Sequence, residues 1–240
     1  MIIDCQKVVK RYTQKTVLDN VDLHVKQGDF FGLVGMNGSG KSTLIKAILD
    51  LIGIDSGKIL INNISHRQVE ARLNVAYLPD RFYPPAHLRG IDFIQYMVRL
   101  HGTKNTQQHV DTVLDDLDLD KSMLQESVNK LSKGMTQKLG LASCLLSNKS
   151  LLILDEPMSG LDPHARVLFK QQLKKIKQQG ATVFFSSHVL ADVEEMADTM
   201  AVLHNSQIYF SGSPDTFKQH YQSDNVEQAY MKCIKGEVQA

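Results

Sequence analysis

The 240-residue chain has only three cysteines, Cys5, Cys144 and Cys233. They are far apart, odd in number and without a C-x-x-C, which excludes a disulfide framework or a cysteine zinc site and makes a reducing compartment the expected setting. Long apolar runs are also missing. Leu151–Leu154 is typical of the longest, far below the ~18 residues that a membrane-crossing helix needs. Asp4 and its polar neighbours argue against a secretory leader, so a cytoplasmic chain that does not itself cross a membrane is expected. There is no excess of one charge. Lys and Arg total 27 against 26 Asp and Glu, a net +1, which argues against a dedicated nucleic-acid binder. No internal repeat or low-complexity segment occurs, and the nine histidines form no H-E-x-x-H. Asp116, Asp118 and Asp120 imitate a calcium loop, but Lys121 and Ser127 stand where Gly and Glu are needed. They read as a solvated acidic turn, and Lys174, Lys175 and Lys177 as a solvated helix face.

What is present is the composition of a soluble globular protein, 42% hydrophobic and 22% charged. At this length roughly 70–75% of the unfolded surface can be buried without covalent staples. Val17, Val21, Leu23 and Val25 read as strand, Gln27-Gly28-Asp29 as a turn, and Phe30–Gly35 as an apolar strand entering a glycine-rich loop. Leu44, Ile45, Ile48 and Leu49 share a helix face. Asp55-Ser56-Gly57 reads as a turn into the strand Ile59–Ile61. From Pro79 to Ser147 helical periodicity dominates. Strands at Leu151–Asp155, Ala181–Ser186 and Met200–Leu203 then alternate with helices, the first capped by Asp162 with Pro163 at its start. Alternation implies an α/β fold with a mainly parallel sheet.

Gly35-Met36-Asn37-Gly38-Ser39-Gly40-Lys41-Ser42 fits G-x-x-x-x-G-K-S/T between a predicted strand and a helix, the context this phosphate loop requires. Glycines let the backbone curl so that several N–H groups meet one phosphate, and the helix adds its positive end. Lys41 would reach the β- and γ-phosphates and the Ser42 hydroxyl would ligate Mg²⁺. A second acidic strand ends in Asp155-Glu156. Successive strand residues point to opposite sides, so Asp155 can face the Mg²⁺ shell while Glu156 faces the attacking water as general base or positioner.

With these residues the chain resembles the ATP-binding cassette of ABC transporters over nearly its whole length. Leu131-Ser132-Lys133-Gly134-Met135 stands where the family has Leu-Ser-Gly-Gly-Gln. Ser159-Gly160-Leu161-Asp162 is similar to the D-loop, His188 to the switch histidine, and Tyr12 to the aromatic that stacks on adenine. The resemblance implies a P-loop NTPase core (1–78 and 151–213), an N-terminal antiparallel β subdomain, a helical signature insertion (79–150) and a helical tail (214–240). It implies nucleotide contacts from Tyr12, Gly35, Asn37, Gly38, Ser39, Gly40, Lys41, Ser42 and Thr43. Ser132, Lys133, Gly134 and Met135 would meet ATP held by a second copy in a sandwich dimer, with Asp162 also contacting that copy. His188 would sense the γ-phosphate. The cofactors implied are ATP and Mg²⁺. The partner implied is a separate membrane permease, with the chain peripheral on the cytoplasmic face of the cell membrane.

Two departures stand out. Asp80 occupies the place of the family's glutamine at the entry to the insertion. A carboxylate can hold Mg²⁺, directly or through water, but cannot donate a hydrogen bond at neutral pH. Lys133 replaces a signature glycine, and either adds charge near the triphosphate or faces solvent. The plainer readings are a core tyrosine at Tyr12, the less favoured of its two, and a helix cap at Ser132, compatible with its signature role. Phe82, Tyr83, Pro84, Pro85 and His87, just after Asp80, form the candidate docking surface. An exporter-type ATPase subunit is the expected function. The alternatives are a cytosolic ABC protein outside transport and a non-hydrolysing regulatory subunit. A P-loop GTPase lacks its N-K-x-D, because Leu151 follows Asn148-Lys149-Ser150.

Overall fold

The computed structural model describes residues 1–236; positions 237–240 of the expected tail lie outside the described residues. In chain order the strands and α-helices are β1 (Ile3–Tyr12), β2 (Lys15–Val25), β3 (Phe30–Val34), α1 (Lys41–Ile48), β4 (Ser56–Ile61), β5 (Ile64–Ser65), β6 (Val75–Leu78), α2 (Gly90–Leu100), α3 (Gln107–Asp116) and α4 (Lys133–Leu145). After them come β7 (Leu151–Leu154), α5 (Pro163–Gln178), β8 (Thr182–Ser187), α6 (Leu190–Met196), β9 (Thr199–His204), β10 (Gln207–Gly212), α7 (Pro214–His220) and α8 (Val226–Lys235). Two compact units result. One joins Met1–Val75 to the chain from Thr182 onward, and the other is Ala76–Ala181.

The first unit holds an antiparallel sheet in the order β2-β1-β4-β5. Cys5 sits opposite Leu23 on one side and Ile59 on the other. β1 escapes a reading by simple alternation because its pairing shifts between Cys5 and Val8, where Lys7 takes φ 48° and donates its N–H to Asp22 at 2.8 Å. Such a bulge breaks the period of two. It also corrects the expected Asp55-Ser56-Gly57 turn: Gly57 lies inside β4 with φ 95°, and a Cβ there would collide with the Lys7 carbonyl.

The same unit places β3 between β8 and β9, parallel to both, with Phe31 opposite Phe184 and Leu33 opposite Ala201. Every residue of β3 is buried, and Phe31 stacks on Phe184 at 5.4 Å between centroids. Buried parallel strands read as continuous apolar runs for this reason. β10 pairs antiparallel with β9 through a turn at Asn205 and Ser206, φ 44° and 69°, the signature of a primed hairpin turn. Gly32 lets α6 approach β3, since a Cβ would lie 2.7 Å from Val193 Cγ1.

In the second unit β6 and β7 are neighbours, and the helical segment expected at 79–150 shares this unit with β7 and α5. Gly140 on α4 admits Leu78 and Phe82, which an added Cβ would meet at 2.6 and 2.9 Å. Phe82 also meets Phe93 edge-on at 5.6 Å. The calcium-like stretch begins on the last residue of α3, Asp116, and continues as a turn in which Asp120 accepts from the Ser122 N–H at 2.8 Å. Lys175 on α5 pairs with Asp116 at 2.8 Å.

Candidate active site

The backbone from β3 to α1 is shaped by what it cannot accommodate. Gly38 and Gly40 have φ 81° and 112°, where a side chain is strained. A Cβ on Gly35 would lie 2.5 Å from both the Leu203 carbonyl and Ser39 Oγ, and one on Gly40 would lie 2.9 Å from the Val17 carbonyl. Lys41 is 5% exposed, and its Nζ donates to the Gly35 carbonyl at 2.7 Å, which holds the ammonium over the curl. α1 starts with no side-chain cap and no acid in its first turn, so its first N–H groups and positive dipole end are open to an anion. Ser42 and Thr43 are half-buried in that turn. Ser39 Oγ is buried without a hydrogen-bond partner, a desolvated hydroxyl that a phosphate oxygen would satisfy. A triphosphate therefore fits this loop.

His188 follows β8, and with Leu190 it lines a cavity of about 310 Å³ that includes Gly35, Met36, Asn37 and Tyr230. Chain folding thus brings His188 beside the phosphate loop. Tyr12 ends β1, 47% exposed as a residue, with Lys10 Nζ 5.1 Å from its ring centroid. The alternative of a core tyrosine is thereby overturned.

In the second unit Asp155 is 2% exposed, and its N–H donates to the Leu78 carbonyl at 2.8 Å. The Tyr77 phenol is pushed up to about 12, first by burial and then by the charges of Asp155 and Asp80. Both carboxylates therefore act on one neighbourhood. The expectation that Asp155 and Glu156 diverge as successive strand residues needs correction. β7 ends at Leu154, and Glu156 is turned by a left-handed φ of 48°. For a residue with a side chain that conformation costs about 1–2 kcal/mol, a strain typical of functional turns. Among the described residues no three His, Cys, Asp or Glu side chains converge on a metal-sized site. An ion that takes one or two carboxylates and completes its shell with phosphate and water, as Mg²⁺ does, fits this donor set.

Ser132 caps α4 by accepting from the Met135 N–H at 3.2 Å, and Asp162 caps α5 by accepting from Ala165 at 2.8 Å. The Ala165 hydrogen bond holds the Asp162 carboxyl below the usual carboxylate range. Lys133 is exposed, and its stem crosses Gly160, where a Cβ would lie 3.1 Å from the lysine Cδ and Cε. A Cβ on Gly134 would meet nothing closer than the Gly160 carbonyl at 3.6 Å, so packing within the described residues does not demand that glycine. Asp80 and Lys133 line one cavity of about 340 Å³ with Tyr83, Thr136 and Gln137. Gln137, unforeseen from sequence, is 3% exposed and donates to the Pro157 carbonyl at 3.2 Å, tying α4 to the acidic turn. A polar residue on the buried face of a helix was its one available signal. The docking surface also narrows. Phe82 packs inward and Pro84 is buried, whereas Tyr83 is 81% exposed.

The sequence profile described as ABC transporter matches residues 18–159. This chain belongs to the ABC transporter family. Among its ABC relatives, an uncharacterized ABC transporter ATP-binding protein of Synechocystis sp. is 37% identical over 201 residues, which cover 82% of this chain and 56% of that protein. The chain thus spans little more than half of that relative's length. The Nod factor export ATP-binding protein I of Bradyrhizobium diazoefficiens is 31% identical, covering 96% of this chain and 76% of that protein. A solved ATP-binding subunit of an ABC transporter superimposes with TM-score 0.86 at 27% identity, covering 97% and 99% of the two chains. The α/β cassette fold of ABC proteins follows, with its antiparallel N-terminal sheet and helical insertion.

Proposed function

We propose that this ABC cassette binds Mg-ATP and hydrolyses it to power a separate membrane permease, closing on a second copy of itself around the nucleotides. The observation that carries the reading is the buried Lys41 ammonium, 5% exposed, held over a glycine curl by the Gly35 carbonyl at 2.7 Å. The loop N–H groups from Gly35 to Thr43, with Asn37, Gly38, Ser39, Gly40 and Ser42 among them, cradle the phosphates, and Lys41 neutralises them. Tyr12 offers its exposed face to adenine, a stacking worth roughly 1–3 kcal/mol in nucleic-acid complexes. Ser42, Asp155 and Asp80 are the oxygen donors for Mg²⁺, which when bound would spread the charge of the β- and γ-phosphates. Glu156 orients the attacking water and takes its proton as that oxygen bonds to the γ-phosphorus and the bond to the β-phosphate oxygen breaks. His188 hydrogen-bonds the γ-phosphate. Ser132 and Gly134 approach ATP on the partner copy, where a side chain at Gly134 would obstruct the approach. Lys133 and Met135 flank that contact and Asp162 lines the dimer face.

Outward transport is supported by the relative named for export. Among the described residues no helix is long and apolar enough to cross a membrane, in line with a peripheral subunit on the cytoplasmic face. Tyr83, 81% exposed, with Pro85 and His87 is the permease-docking surface. The deciding experiment is titration of the wild-type chain with Mg-ATP, followed by steady-state phosphate release. Saturable binding and turnover are expected; absence of any affinity for Mg-ATP overturns the reading.

A further inference from the structure

We infer that Tyr230, on the C-terminal helix α8, is a positioning residue of the nucleotide site: it braces the phosphate loop through the backbone of Met36. This inference rests on the reading that the loop binds ATP. Tyr230 is 6% exposed and lines the same cavity as Gly35, Met36, Asn37 and His188. Its hydroxyl is buried and makes no hydrogen bond of normal geometry. Burial pushes the phenol above its ordinary value and Cys233 acts the same way, while the Met36 backbone, which lines the same cavity, acts in the opposite direction. A buried hydroxyl without a formed bond is costly, so a loop that tightens around phosphate and brings the Met36 N–H into line gains that bond.

The placement of Tyr230 is built by several contacts. Asn225 caps α8 by accepting from Gln228 at 2.9 Å. Glu194 on α6 accepts from the Val226 N–H at 3.1 Å and from Lys218 Nζ on α7 at 3.0 Å. Val226, Ala229 and Cys233 bury the same face of α8 as Tyr230. α6 begins just after His188, so the tail is fastened to the helix that follows the histidine and returns a side chain to the loop. Rigid support of a binding loop raises affinity by reducing the ordering cost.

The test is Tyr230→Phe in the full chain, which keeps the ring packing and removes only the hydroxyl. Mg-ATP affinity is measured by titration, and KM and kcat by phosphate release. The variant is expected to bind roughly two- to tenfold more weakly, the worth of one neutral hydrogen bond. KM should rise by the same factor with kcat unchanged, a split that loss of mere packing would not produce. Wild-type affinity and KM in the variant overturn this inference alone. A wild type without affinity for Mg-ATP overturns both it and the reading beneath it.

Discussion

Gly38 and Gly40 in one unit and Glu156 in the other all hold positive φ, 81°, 112° and 48°, yet for opposite reasons. In the phosphate loop the left-handed turns aim backbone N–H groups, and side chains there would be obstacles: a Cβ added to Gly40 would lie 2.9 Å from the Val17 carbonyl. In the acidic turn it is the Glu156 side chain that the proposed function uses, and the left-handed φ sets its starting direction. The first unit therefore offers fixed dipoles and a buried ammonium, suited to binding. The second offers carboxylates and capped helices, which the proposed function uses to move a proton and to meet a second copy. On the proposed function, binding and chemistry fall to different stretches of chain, and substitutions can separate them.

The largest expected effect is from Glu156→Gln. It should lower ATP turnover by about 10²–10⁴-fold, the usual worth of a general base, with Mg-ATP affinity retained in titration. Loss of both would break the division between the units. Lys41→Ala should do the reverse and weaken Mg-ATP binding by roughly 10- to 100-fold, as loss of a charged hydrogen bond does; fluorescence or calorimetric titration reads it. Ser132→Ala removes the α4 cap and should destabilise the second unit by about 1 kcal/mol, visible as a lower denaturation midpoint. If Ser132 also reaches ATP on the partner copy, turnover falls further than stability explains.

The smallest effect is a pH dependence in the first unit. His66 is 3% exposed, with Nδ1 donating to the Ile59 carbonyl at 3.1 Å. Burial, followed by weaker contributions of Arg67 and Arg72, holds its pKa below 6.5, against the opposing pull of the Ile59 bond and Asp50. In the unfolded chain the imidazole takes up its proton first as pH falls. His66's share of stability is therefore complete above about 6.5 and declines below it. Denaturation at pH 7.5 and 5.5 should show this decline, and His66→Gln should flatten it.

Much of both halves was legible because local chemistry was enough. The phosphate loop is one contiguous stretch whose glycines, lysine and serine carry their geometry with them, and Asp162-Pro163 announces the start of α5 by capping alone. The direction of Glu156 was read less well, since strand alternation stops at Leu154 and a positive φ takes over. Phe82 looked like a docking aromatic until Gly140 and Phe93 gave it an inward partner.

The sequence by itself determined where a phosphate can be held, where an acid pair can act and to which family the chain is similar. These follow from residue types at short, fixed spacing, for which neighbours along the chain set the geometry. Only the tertiary structure decided that His188 and Tyr230 stand beside the phosphate loop, that Gln137 grips the acidic turn and that Lys133 lies across Gly160. Each of those contacts joins residues distant in sequence, and burial of apolar faces, which has no preferred direction, leaves such partners unspecified until the whole chain packs.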